Sequence, residues 1–253
     1  MTLLVTGGSG YLGRELLRRT DAIGISSRDV DIRDEPAVAA LLERLHPGVV
    51  INTAYRRDDR ATTFDGAVHV ARAAAAVGAR LVHLSTDVVF DGEKGEPYVE
   101  EDEPMPLTAY GRAKADAERA VLRIHPGALV VRTSLIYGGP EPGPQERLAR
   151  DPSASFFTDE VRCPICVGDL ADALIELAGS ELSGPLHVAG ADRLSRRDFA
   201  ALLAGHPVRS ASAASSAAVR PRDCSLAIDR ARALLRTRLR GAREVLEGGP
   251  AHP

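Results

Sequence analysis

Lysine is almost missing from this chain: Lys94 and Lys114 are the only two among 32 basic residues, the rest being arginine. A compact ammonium at either position is therefore informative, because the planar guanidinium used everywhere else differs in shape and stays protonated. Cysteine is scarce as well. Three thiols cannot close into a disulfide framework, and Cys163 and Cys166 form a lone C-x-x-C pair to which Cys224, His187 and His206 add no ligand spacing, so no metal site is expected. No run reaches the roughly 18 apolar residues of a membrane span. The start, Met1-Thr-Leu-Leu-Val-Thr-Gly7, enters an apolar run at once, with no basic leader or small-residue cleavage site, and a cytoplasmic protein is expected. Positive charge is not in surplus either. With 32 basic against 35 acidic residues the net charge is -3, which argues against nucleic acid as a partner.

What is present is an ordinary globular balance, 44% hydrophobic and 26% charged over 253 residues, enough for one core built around one sheet. Short β-like runs alternate with amphipathic stretches, the rhythm of a parallel sheet covered on both faces. Strands are predicted over residues 3–6, 22–26, 49–52, 80–85 and 128–133, and helices over 11–19, 35–45, 64–77 and 109–124. Asp34 before Glu35-Pro36 reads as an N-cap with proline in the first turn, and Gly78 as a C-terminal stop. After Tyr137 the string Gly-Gly-Pro-Glu-Pro-Gly-Pro, residues 138–144, cannot be regular helix or central strand and predicts a loop. Beyond it, helices are predicted over 170–178, from Ser195 as cap to 203, over 226–235 and over 242–246, with a strand over 186–188. A flexible surface loop is expected over 210–218, and a frayed Gly-Pro-rich end. The expectation is one doubly wound α/β domain over 1–253, its cofactor-binding core over 1–137 and a small substrate-side part over 138–248.

Gly7-Gly-Ser-Gly-Tyr-Leu-Gly13 follows the first strand directly and opens the first helix. A strand-to-helix turn of this kind offers backbone N–H groups and the positive helix end to a pyrophosphate, and glycine is needed where a side chain would block that approach. Gly7, Ser9, Gly10, Tyr11, Leu12 and Gly13 are thus candidate cofactor residues of a Rossmann-type fold. The second strand ends in Ser26-Ser27-Arg28, where proteins that prefer NAD(H) place an acidic residue on the ribose hydroxyls. An arginine with two hydroxyls suits a ribose 2′-phosphate, so NADP(H) is favoured and NAD(H) is the alternative. Asp29 and Asp31 stand close by, and Asp31 with Ile32 could meet the adenine edge.

Tyr110-Gly-Arg-Ala-Lys114 lies near the start of a predicted helix, and an i, i+4 pair shares one face. An ammonium beside a phenol stabilises the phenolate, so such a tyrosine can give and retake a proton. Ser85-Thr-Asp-Val-Val-Phe-Asp-Gly92 leaves the C-terminal end of the fourth strand, where ligands of open α/β sheets bind. The hydroxyl of Thr86 could there orient a carbonyl oxygen that Tyr110 protonates, with Ser85 as the competitor for that role.

These motifs resemble the extended short-chain dehydrogenase/reductase superfamily, and within it the dTDP-4-dehydrorhamnose reductase family. The resemblance is carried by Thr6-Gly-Gly-Ser-Gly-Tyr-Leu-Gly13, Ser27-Arg-Asp-Val-Asp-Ile32, Val50-Ile-Asn-Thr-Ala-Tyr55, Ser85 to Gly92, Tyr110 to Lys114, Arg132-Thr-Ser-Leu-Ile-Tyr-Gly138 and Arg220-Pro221. It implies hydride transfer from a nicotinamide to the 4-keto group of a nucleotide-linked sugar. Thr86 would orient the carbonyl, Tyr110 would protonate it, and Lys114 would hold the nicotinamide ribose and tune Tyr110. It also implies cofactor contacts from Thr53, Ala54, Tyr55, Ser85 and Thr133, and substrate contacts from Asp87, Val88 and Leu135. A homodimer is compatible with it.

The departures fall on the substrate side. Val88 and Leu135 stand where the family carries aromatics, and Glu160-Val-Arg-Cys-Pro-Ile165 stands where it tends to carry Gln-x-Gly-x-Pro-Thr. With Arg162 expected to bring a charge near the pocket, dTDP-4-dehydrorhamnose itself is expected to be a poor substrate. Two alternatives stay open at this point: a nucleotide-sugar epimerase or dehydratase, and a non-catalytic NADP-binding regulatory subunit.

Overall fold

The computed structural model describes residues 2–216 and 218–248. The chain forms two compact units, the first made of Met1–Thr86, Ala109–Arg132 and Ala171–Leu186, the second of Asp87–Thr108, Thr133–Leu170 and His187–Pro253. The sequence reading placed everything to residue 137 in one cofactor-binding core. In the structure the chain leaves the first unit at Asp87 and returns to it at Ala109. Nothing local marks the excursion, since both sides of it read as ordinary loop and helix.

In the first unit β1 (Leu3–Thr6), α1 (Tyr11–Arg19), β2 (Ile23–Ile25), α2 (Glu35–Leu45), β3 (Val49–Asn52), α3 (Gly66–Ala76), β4 (Arg80–Thr86), α4 (Ala109–Ile124) and β5 (Leu129–Thr133) follow in order. Strand Gly184–His187 completes a six-stranded sheet, in which its neighbour is β5, followed by β4, β3, β1 and β2. The pairs of β1 with β2, β1 with β3 and β3 with β4 are parallel, as short right-handed crossovers require. Every residue of β3 and β5 is buried, the mark of central strands covered on both faces. Leu4, Val50, Leu81 and Val130 of the sheet pack against Leu42 of α2, Val70, Ala71 and Ala74 of α3, and Ala117 and Val121 of α4. The small alanines of α3 and α4 let these helices lie close to the sheet.

Local signals set the helix ends. The Asp34 carboxylate accepts from the Ala37 N–H at 3.1 Å, and Gly78 stops the third helix with φ +68°. The helix predicted over 64–77 has a more complex start. A π turn, Ala61–Asp65, precedes α3, and the Asp59 carboxylate anchors it by accepting from the Ala61 N–H and the Thr62 hydroxyl.

The second unit is built from short pairs: Ile136–Tyr137 with Ile165–Cys166, Val161–Arg162 with Leu194–Ser195, and Phe156–Phe157 with Ser210–Ala211. Tyr137, Cys166, Leu194, Phe199 and Ala242 form its core, with the Tyr137 and Phe199 rings edge-on at 5.2 Å. Ser195 caps helix Arg196–Ala204 as expected, accepting from the Asp198 N–H at 3.0 Å. Within the loop expected over 210–218, of which residue 217 lies outside the described residues, residues 210–213 are held in place. Ser210–Ala211 pairs as a strand, and Asp159 holds the Ser212 hydroxyl and the Ala213 N–H at 2.7 and 2.6 Å. The Gly-Pro-rich end, expected to fray, lies outside the described residues beyond 248. Among the described residues no helix is long and apolar enough to cross a membrane.

Candidate active site

Because β1 lies between β2 and β3, the segments leaving its C-terminal end and that of β3 part on either side of a crevice. The glycine turn forms one wall. The Gly8 N–H donates to the Ile25 carbonyl and the Gly10 N–H to the Gly7 carbonyl, both at 2.8 Å. Gly7 has φ +71°, and a Cβ there would come within 2.8 Å of Thr53 Oγ1 and 3.0 Å of the Ala54 nitrogen. At Gly13 a Cβ would overlap the Gly7 carbonyl oxygen, so α1 packs onto the turn only through glycine. No side chain caps α1 at Gly10 and its first turn holds no acidic residue, which leaves the positive helix end for an anion. Leu12 is buried, so only its backbone can serve a cofactor.

A cleft of about 250 Å³ opens here, lined by Gly7, Ser9, Gly10, Ser26, Ser27, Asp31, Ile32, Thr53, Ala54 and Tyr55. Most of the expected cofactor residues are thus brought to one place. Arg28 is not among the lining residues; Arg33 and Arg56, which no local motif singles out, are. Their signal becomes visible only once the ends of β2 and β3 are known to meet at one cleft. The two nearby acids are turned away from a role as free charges. Asp31 takes the Arg33 guanidinium in a two-pronged pair at 2.6 and 3.0 Å, which pulls its carboxyl down to about 2. Asp29 accepts from the Ser26 hydroxyl and N–H at 2.7 and 2.8 Å, and these bonds lower its carboxyl in turn.

Tyr110 and Lys114 project from the first turns of α4, one turn apart. The Tyr110 ring lies 5.7 Å from that of Tyr55, and the Arg57 guanidinium sits 5.3 Å over it. Lys114 is buried, with Nζ donating to the Leu84 carbonyl at 2.5 Å and lying 3.4 Å from His83 Nε2. Burial pulls its ammonium down to about 8, against the opposing charge of Glu118. Ser85 and Thr86 differ in burial. Ser85 is buried and donates to Glu118, which also pairs with Arg132 at 2.9 Å. Thr86 is the half-buried hydroxyl at the strand end. Thr133, at the end of β5, is buried with no hydrogen-bond partner for its Oγ1 among the described residues.

The expected substrate residues lie in the second unit. Asp87 and Val88 occupy a buried 3-10 turn, and Leu135 packs against the cluster around Tyr137. The Asp87 carboxylate accepts from the Ser134 hydroxyl at 2.6 Å. Arg162 is buried, donates to the carbonyls of Pro221 and Arg222 at 2.9 and 3.0 Å, and lies 3.8 Å from Asp87. Its charge ties backbone segments together and is not offered as a free group. Cys163, Cys166 and Cys224 are buried free thiols, and burial pushes Cys163 up to about 12.

A Rossmann-type sheet, a glycine cleft and a tyrosine–lysine pair on α4 define an extended short-chain dehydrogenase/reductase. Within that superfamily the chain belongs to the family described as RmlD substrate binding domain, whose sequence profile matches residues 1–248. It is 38% identical over 219 residues to the dTDP-4-dehydrorhamnose reductase of Mycobacterium tuberculosis, covering 77% of this chain and 71% of that one. It is 37% identical over 223 residues, 79% of this chain and 75% of the relative, to a probable dTDP-4,6-dihydroxy-2-methyloxan-3-one 4-ketoreductase of Streptomyces antibioticus. The crystal structure of the Bacillus anthracis dTDP-4-dehydrorhamnose reductase in complex with NADP matches with a TM-score of 0.88 at 27% identity, covering 98% of both chains.

Proposed function

We propose that this protein is an NADP(H)-dependent reductase that transfers hydride to the keto group of a nucleotide-linked 4-keto sugar. The observation that carries the reading is the placement of Tyr110 and Lys114 one turn apart on α4, with Tyr110 packed against Tyr55 of the cofactor cleft. The cleft fits a dinucleotide: its glycines leave no room for side chains, and its helix end carries no competing acid. NADP(H), when bound, supplies the hydride. Ser26, Ser27, Arg33 and Arg56 line the end of the cleft suited to a 2′-phosphate, and the Bacillus anthracis relative holds NADP.

In this reading Thr86 holds the substrate carbonyl by a hydrogen bond, Tyr110 gives its phenolic proton to the oxygen as hydride arrives, and Lys114 restores and orients the tyrosine. The names of the relatives support a dTDP-linked sugar. The test is NADPH oxidation with dTDP-4-dehydrorhamnose and other nucleotide-linked 4-keto sugars, beside fluorescence titration of NADPH and NADH. Tyr110→Phe should bind cofactor as the native protein does and lose hydride transfer by about a hundred- to ten-thousandfold in single-turnover measurements. Undiminished transfer would remove Tyr110 from the chemistry, and equal affinity for both cofactors would remove the NADP(H) preference. A cytoplasmic setting belongs to the same proposal, and cell fractionation tests it.

A further inference from the structure

Behind Lys114 lies a chain of buried polar groups that the proposed reaction does not use. Thr6 Oγ1 donates to Asn52 Oδ1 at 2.5 Å, Asn52 Nδ2 lies 3.2 Å from His83 Nδ1, and His83 Nε2 lies 3.4 Å from Lys114 Nζ. All four residues are buried. The direction of this chain follows from one bond. The Ala54 N–H can only donate, and it donates to Asn52 Oδ1 at 3.2 Å. That fixes the Asn52 amide with its NH₂ toward His83, so His83 Nδ1 must accept. An imidazole has one acceptor nitrogen when neutral, so its proton is then on Nε2 and points at Lys114.

An ammonium has three donors and no acceptor. A charged Lys114 therefore meets the His83 N–H donor to donor, whereas the neutral amine satisfies every partner by donating to the Leu84 carbonyl and accepting from His83. We propose that His83 is a positioning residue, fixed by Asn52 as the Nε2–H tautomer, which stabilises the uncharged form of Lys114. Among the described residues, no other group facing the amine reverses this. On α4, Glu118 lies one turn beyond Lys114, but it is committed to Arg132 of β5 at 2.9 Å and to Ser85 of β4. Tyr110 is the remaining titratable group on that helix face. His83 is itself held neutral, first by burial and then by Lys114.

The purpose of the device rests on the reductase reading. After Tyr110 has protonated the substrate, its phenolate takes a proton from the Lys114 ammonium, and the lone pair left on Nζ accepts the His83 N–H. Solvent then returns the proton to Lys114. A lysine at its ordinary pKa would hold that proton more tightly, and an arginine would not release it.

The near-absence of lysine makes the test direct and independent of activity. Protein labelled with 13C at lysine Cε gives two signals, and Lys94→Arg, which keeps a cation at the Asp102 ion pair, leaves that of Lys114 alone. Its titration midpoint is expected at about 8. His83→Gln, whose amide can turn its oxygen toward Nζ, should raise the midpoint by about one pH unit or more. The 15N signals of the native His83 ring should place the proton on Nε2, a measurement that stands if the variant does not fold. A native midpoint near the ordinary value of about 10.4, an unchanged midpoint in a folded His83→Gln variant, or a proton on Nδ1 would each overturn the proposal. Loss of NADPH oxidation with these results intact would count against the reductase reading alone.

Discussion

Gly13→Ala is the smallest change that separates a glycine required by packing from one that is merely tolerated. A Cβ at Gly13 would lie 2.8 Å from Gly8 Cα and 2.9 Å from the Gly7 carbonyl carbon, where ordinary contact is 3.4–4 Å, and it would overlap the Gly7 oxygen. All three atoms are backbone, so no side chain can swing aside. The turn or the start of α1 must move by roughly half an ångström or more, and overpacking of this kind costs about 1 to 3 kcal/mol. If the free protein relaxes by opening the turn, closing it around a pyrophosphate restores the strain, and NADPH affinity should fall by about 5- to 150-fold. Gly10→Ala is the control for the fold. Its Cβ meets only the Gly7 oxygen, at 3.1 Å, so its urea midpoint should stay closer to native than that of Gly13→Ala. Urea unfolding followed by circular dichroism reads the first effect, and fluorescence titration of NADPH the second. A Gly13→Ala protein with native stability and NADPH affinity within twofold of native would refute the packing argument.

Two further outcomes follow from the buried charges of the first unit. Arg132→Met leaves Glu118 buried without its cation and should cost about 3 to 5 kcal/mol in urea unfolding, while the double variant with Glu118→Met should recover most of it; a single-variant loss under about 1 kcal/mol would count against the pair. Lys114 is buried with its pKa lowered to about 8, so between about 8 and the unfolded value near 10.4 the unfolded chain binds the extra proton. Stability therefore rises with pH across that window. Relative to Lys114→Met, the native protein should gain roughly 2.5 kcal/mol from pH 8 to 10.4, and a flat difference would show that Lys114 titrates normally.

Much of the site was readable because it is local. The turn Gly7 to Gly13 sits between one strand and one helix, and Tyr110 and Lys114 share a face by helical spacing alone. The helix bounds at Asp34, Gly78 and Ser195 were equally legible, since capping depends on a few neighbouring residues. The missed features have the opposite character. Arg162 is held by the carbonyls of Pro221 and Arg222, 59 and 60 residues away, a tie that no local pattern announces. The strand at Ser210–Ala211 came from pairing with Phe156–Phe157, which outweighed a composition of small polar residues.

The sequence by itself determined the class of fold, the cofactor turn and the tyrosine–lysine pair, because each follows from backbone sterics or side-chain period within about a dozen residues. Only the tertiary structure decided what stands behind that pair. Asn52, His83 and Lys114 are spaced 31 residues apart at each step and meet because β3 and β4 lie side by side in the sheet, beneath α4. A histidine in the run Arg80-Leu-Val-His-Leu-Ser-Thr86 reads as one more strand residue. Its charge state and tautomer are properties of burial and of the Asn52 amide beside it, which no local pattern encodes.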